Sequence, residues 1–325
     1  MEGKVAVLAR RLKETQEQHA SLRSATQKSE TKEPGEMIDS FRDLKRAIQL
    51  LCRRFGATIS DFEAETSRAI PLAPPPAQTP QTSPSDSLTS KNAAHFASLK
   101  KLLTTIGGPS LCNSSRGEGR PLEDFLDFTL RLSISSTLVQ DLFDRFHPEL
   151  SHRGTSFLLT HYESIRRRVV AGRWRAASFA AIEQDGDASV KDAMWAKEFV
   201  SHVTESTIAP LVRAIHDTWD TSMLPKSFWD ALFEIGRTAY LWNRDVKCEC
   251  VSLDFRVVMS ADGERYDDTY MALYDKHNAR FDGKGRRILA AVGMGLKTSA
   301  VTGNDEPAQE VWHEKVDVLT EGYFT

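Results

Sequence analysis

Glu36-Met37-Ile38-Asp39-Ser40-Phe41-Arg42-Asp43-Leu44-Lys45-Arg46-Ala47-Ile48-Gln49-Leu50-Leu51-Cys52-Arg53-Arg54-Phe55-Gly56 is the stretch on which the fold turns. Met37, Phe41, Leu44, Ile48, Leu51 and Phe55 recur at alternating intervals of four and three, which puts all six on one side of a helix. Charged side chains fill the opposite side. The spacing predicts an amphipathic helix that ends near Gly56, where a left-handed cap costs a glycine little. Ser60 and Glu63 then form a capping-box pattern that restarts a short helix to about Ala69.

On the N-terminal side, Val5, Leu8, Leu12, Thr15, His19 and Leu22 keep the same spacing with two polar interruptions, a weaker coiled-coil-like seam. On the other side, residues 71–90 are rich in Pro, Ser, Thr and Gln with almost no apolar side chain. Such a segment buries too little surface to offset its ordering entropy, so 70–91 is expected to be a disordered proline-rich linker. The chain thus divides into a helical segment over 1–69, the linker over 70–91, and a mainly helical domain over 92–325.

Within that domain, helical faces are read at 92–106, from Pro121 to about Leu132, and at 136–146, 155–170, 174–183, 189–219 and 227–244. The 189–219 helix is expected to bend or break at Pro210, whose ring removes a donor and crowds the preceding turn. After Lys247 the period falls to two: Val251, Leu253, Phe255 and Val257 alternate with Ser252, Asp254 and Arg256, a strand pattern. Residues 288–301 and 312–318 fit strand or helix. We favour strands that form a small antiparallel sheet on the helices, giving a mainly α fold.

The segment Phe146-His147-Pro148-Glu149-Leu150-Ser151-His152-Arg153-Gly154-Thr155, the run Ala171-Gly172-Arg173-Trp174-Arg175 and the tail Val318-Leu319-Thr320-Glu321-Gly322-Tyr323-Phe324 resemble a group of basidiomycete fungal proteins with no assigned activity. The resemblance covers roughly 95–325. It implies a fungal lineage and brings with it no activity, cofactor or site residue.

Composition narrows the function. A net charge of -3 gives no long-range attraction for nucleic acid or an anionic membrane, and sequence-specific nucleic-acid binding is not expected. Four scattered cysteines do not make a secreted disulfide framework, and no leader or 20-residue apolar run is visible, so an intracellular setting without a membrane span is expected. Gly293-Met294-Gly295-Leu296-Lys297-Thr298 misses the phosphate-loop pattern, because Leu296 stands where glycine must precede the lysine. Close backbone packing explains Gly293 and Gly295 better. Cys248 and Cys250 lack a second ligand pair for zinc. His161 is read as a core or boundary histidine. Arg166, Arg167, Arg168, Arg173 and Arg175 around Trp174 form the densest basic cluster, set where a helix C-terminus before Gly172 favours cations.

The most specific short signals lie around the linker. Arg68 stands three positions before the Pro71-x-x-Pro74 core, the arrangement of a polyproline ligand for an SH3-type groove, while Thr79 and Ser83 each precede a proline as minimal phosphorylation sites. The sequence therefore points to a non-enzymatic interaction or adaptor protein with no cofactor. Its partner protein would be held by the seam of Phe41, Leu44, Ile48, Leu51 and Phe55, or by Arg68, Pro71 and Pro74, with Thr79 and Ser83 as phosphosites. The alternative is an enzyme, or a nucleotide- or nucleic-acid-binding protein, whose site is assembled from residues distant in sequence.

Overall fold

The computed structural model describes residues 32–69, 93–112, 122–165, 171–184, 188–216, 219–274, 287–300 and 309–320. The described part is mainly helical, with a small antiparallel sheet in its C-terminal third. Its first helix, α1 (Pro34–Ala69), carries the quoted stretch. Met37, Phe41, Leu44, Ile48, Leu51 and Phe55 are all buried, as is Ile59 one turn further on.

They pack on α3 (Leu122–Leu138) and α8 (Lys226–Cys248). Phe41 meets the Trp242 ring at 5.2 Å and Phe55 meets Phe228 at 5.7 Å, while the Trp242 indole N–H donates to the Met37 carbonyl at 2.8 Å. The seam is therefore consumed inside the chain. Its six side chains share one hydrophobic cluster with residues of the C-terminal part. Large apolar side chains at this spacing gain most by reaching the nearest complementary face, and α3 and α8 supply it.

Gly56 does not end α1. A Cβ there would come within 2.7 Å of the Glu123 carbonyl oxygen, so the glycine lets α1 and α3 approach closely, and the helix runs on through Ser60 and Glu63. The α3 helix is buried on nearly every side, which requires its polar groups to be paired. Asp127 accepts two bonds from Arg131, at 2.7 and 2.6 Å, and the Arg131 guanidinium lies 4.8 Å from the Tyr274 ring centre. Burial pushes the Asp127 carboxyl up to about 6 against the pull of Arg131.

The residues read as a helix at 136–146 instead complete α3 and then widen into a π-turn, Val139–Phe143, closed by the Asp144 N–H on the Val139 carbonyl at 2.8 Å. Short helices α2 (Ala93–Ile106), α4 (His152–Ile165) and α5 (Ala171–Glu183) surround the core. The expected interruption near Pro210 falls earlier in the chain: α6 (Ala188–Val203) passes into a π-turn, Thr204–Ile208, before α7 (Ala209–Ile215) takes Pro210 into its first turn, where the missing N–H is harmless.

Strands β1 (Leu253–Val258), β4 (Gly295–Ala300) and β5 (Gln309–Glu314) form the antiparallel sheet in the order β1-β4-β5, with Leu253 opposite Ala300 and Val258 opposite Gly295. A second sheet has the order β2-β6-β3, from β2 (Met271–Leu273), β6 (Val316–Thr320) and β3 (Ile288–Ala291). In it β2 runs parallel to β6 while β3 runs antiparallel. Lys45 of α1 ties the helices to this region through Asp317 at 3.2 Å and Glu314 at 3.6 Å. No described helix is long and apolar enough to cross a membrane.

Candidate ligand-binding cleft

Where α3 gives way to its π-turn, a cleft of about 670 Å³ lies between that turn and β1. Residues 139–146 form one wall and residues 254–259 the other, with α4, α5 and the end of α8 closing the back. Lys247, in the last turn of α8, donates to the carbonyls of Phe143 (3.2 Å) and Arg145 and so fixes the exit of the π-turn. Burial, and then the charge of Arg175, lowers the Lys247 ammonium to about 7. The two carbonyl acceptors oppose that shift by solvating the cation.

The floor is organised by Arg175. Gly172 permits this placement: a Cβ there would meet the Val251 carbonyl oxygen at 1.9 Å, so only glycine lets the first turn of α5 abut the segment leading into β1. Arg175 is then buried, donating to Asp254 at 2.7 Å, to the Tyr162 hydroxyl at 3.3 Å, and to the carbonyls of Val246, Cys250 and Leu253. The ion pairs continue outward from Asp254 to Arg256 at 3.6 Å and from Arg256 to Glu163. Beside Arg256, across the β1–β4 register, stands Lys297, held by Glu310 at 2.9 Å.

Arg145, Arg175, Lys247, Arg256 and Lys297 thus face a space that contains three carboxylates, those of Asp144, Glu163 and Asp254. Basic side chains outnumber acidic ones by two. Two buried donors also lack an acceptor among the described residues, the Nε–H groups of Arg145 and Arg175. Asp144 is buried enough that its carboxyl is raised, although Lys247 and Arg256 pull it down. Apolar surface comes from Phe143, Phe146, Leu159 and Phe255. Two aromatic rings of the lining are joined through Trp174: Phe146 packs edge-on against it at 5.7 Å, and Tyr162 stacks with it at 6.2 Å.

Few of these residues were singled out in the sequence. Arg175 belonged to the basic cluster, but its role is internal; Arg173 is exposed, and Arg166, Arg167 and Arg168 lie outside the described residues. Lys297 belonged to the near-miss phosphate loop, which is instead the β3–β4 turn and strand β4, where a Cβ on Gly293 would meet Asp317 at 2.5 Å and one on Gly295 would meet Val316 at 2.7 Å. His161 is exposed against Phe157 and Trp174 rather than set in the core. Among the described residues the buried histidine is His147, which pairs with Glu183 at 2.9 Å. Cys248 ends α8 and Cys250 follows it, so the two thiols do not share a strand. Among the described residues no three His, Cys, Asp or Glu side chains are grouped to hold a metal ion. Arg68 falls in the last turn of α1, and Pro71, Pro74, Thr79 and Ser83 lie outside the described residues.

Comparison with family models, with curated proteins and with solved structures gives no match for this chain. The functional reading therefore rests on geometry.

Proposed function

We propose that the chain is a non-enzymatic, intracellular binding protein whose recognition site is the cleft between β1 and residues 139–146, and that its ligand carries negative charge on an apolar body. The observation that supports this is the set of five basic side chains, Arg145, Arg175, Lys247, Arg256 and Lys297, that lines the cleft against three carboxylates. The cleft volume lies within the roughly 300–1,000 Å³ of small-ligand sites, and aromatic walls with a few convergent polar groups are the usual lining of such sites. The interaction role read from the sequence is kept, and its surface moves from the α1 seam to this cleft.

The test uses 1-anilinonaphthalene-8-sulfonate, an anionic aromatic dye that brightens in apolar surroundings. The full chain should bind it saturably at one site, with affinity falling as salt rises. Arg256→Gln combined with Lys297→Gln should weaken binding at least tenfold at an unchanged melting temperature. Equal binding by parent and variant would reject the cleft as the site.

A further inference from the structure

The ligand's class follows from the strand that forms one wall. β1 is the terminal strand of its sheet, paired to β4 without interruption from Leu253 to Val258 and, among the described residues, to no strand on its other side. All of residues 254–259 line the cleft. Successive side chains of a strand point to opposite faces, so a cavity that touches every residue in a row runs along the strand's edge. Half of a terminal strand's backbone N–H and C=O groups point away from its neighbour, and proteins ordinarily blunt such edges with proline, bulges or a covering element. Arg175 takes the Leu253 carbonyl, which covers the start of β1. From Phe255 to Val258 the described residues offer no backbone partner other than β4.

Building on the anionic-ligand reading above, we propose that the ligand is an acidic, extended segment of a partner protein that adds to β1 as a further strand. Main-chain pairing along an open edge supplies affinity in this mode, and alternate side chains supply specificity. Four open residues span about 13 Å at ~3.3 Å each, which suits a segment of four to six residues. Acidic side chains on one face of that segment would meet Arg256 and Lys297, which stand side by side on β1 and β4. Apolar side chains on its other face would meet Phe143 and Phe146 across the cleft. A second copy of this chain is a poorer occupant, because two clefts with the same cation excess repel each other.

The experiment titrates fluorescein-labelled Val-Glu-Val-Glu-Val-Glu, amidated at its C-terminus, into the full chain and reads anisotropy. Hydrogen exchange is followed in parallel, and the dye measurement is repeated on the same preparation. We expect micromolar binding, slowed exchange at Phe255–Val258, and at least tenfold loss on methylating the amide nitrogens of alternate residues, whichever register binds. We also expect at least tenfold loss when lysine replaces each glutamate, or when the chain carries Arg256→Gln with Lys297→Gln. If the dye binds in the cleft but the peptide does not bind at millimolar concentration, strand addition is overturned and the anionic-ligand reading stands. If neither binds, both fail. Equal binding of both alternately methylated peptides, or sedimentation showing a dimer whose β1 amides are protected without peptide, would also overturn the proposal.

Discussion

Replacing Phe41 by alanine removes a ring that is fully buried and packed 5.2 Å from Trp242, a residue two hundred positions away in sequence. Truncating a buried phenylalanine costs about 3–5 kcal/mol through lost transfer energy and the cavity left behind. At about 2–4 °C per kcal/mol, the melting temperature should fall by roughly 6–20 °C. Phe55→Ala, against Phe228, should cost a similar amount. The two sites are fourteen residues apart, about 21 Å along a helix, so their effects should add, and the double variant approaches the ~5–15 kcal/mol that holds a domain together. The assay is favourable, because all six tryptophans lie at or beyond Trp174, so their fluorescence follows the C-terminal part and, through Trp242, its contact with α1. Leu50→Ala is the control, since Leu50 is 48% exposed on the same helix and should change stability by no more than about 0.5 kcal/mol. If Phe41→Ala left the tryptophan-detected transition unmoved, α1 would not share the core and the account of its seam would be wrong.

Asp127→Ala leaves the Arg131 charge buried without its bidentate partner and should cost about 3–5 kcal/mol in urea unfolding, whereas Asp127→Leu combined with Arg131→Met should cost less than either change alone; additive losses would contradict this. His147 accepts the Glu149 N–H through Nδ1 at 3.2 Å and gives Nε2–H to Glu183, an arrangement that suits the neutral ring, and burial lowers its pKa. Its contribution to stability is therefore complete above about pH 6.5 and is lost as pH falls below that, by up to about 1.4 kcal/mol per unit, and His147→Gln should flatten that slope. Gly172→Ala should cost about 1–3 kcal/mol and also weaken dye binding, because moving α5 off Val251 displaces Arg175; a stable variant with unchanged affinity would remove Gly172 from the construction of the cleft.

The helices were legible because their apolar spacing is local. The seam from Met37 to Phe55 and the faces of α3, α6 and α8 follow from three- and four-residue intervals, and β1 follows from the change to a period of two at Leu253. What the seam packs against was not legible, since Trp242 and Phe228 are separated from it by a proline-rich stretch that reads as a boundary between bodies. Glycines misled for a related reason. Gly56 looks like a cap in isolation, and only the presence of the Glu123 backbone shows it to be a point of close approach. The cleft was least visible of all, because it gathers Arg145, Arg175, Lys247, Arg256 and Lys297 from five separate elements and connections. A hint existed in Arg175 and Lys297, each in a motif judged on the wrong chemistry. Arg145, Lys247 and Arg256 carry no local signal, and the seam and linker drew attention away from them.

The most direct measurement is the map of backbone amide shifts when the dye is titrated into isotopically labelled chain. The account predicts changes concentrated at Phe143–Phe146, Glu163, Lys247 and Phe255–Met259, the residues around the cleft. Changes centred instead on the exposed Val190 and Met194 of α6, with the cleft amides unmoved, would contradict it.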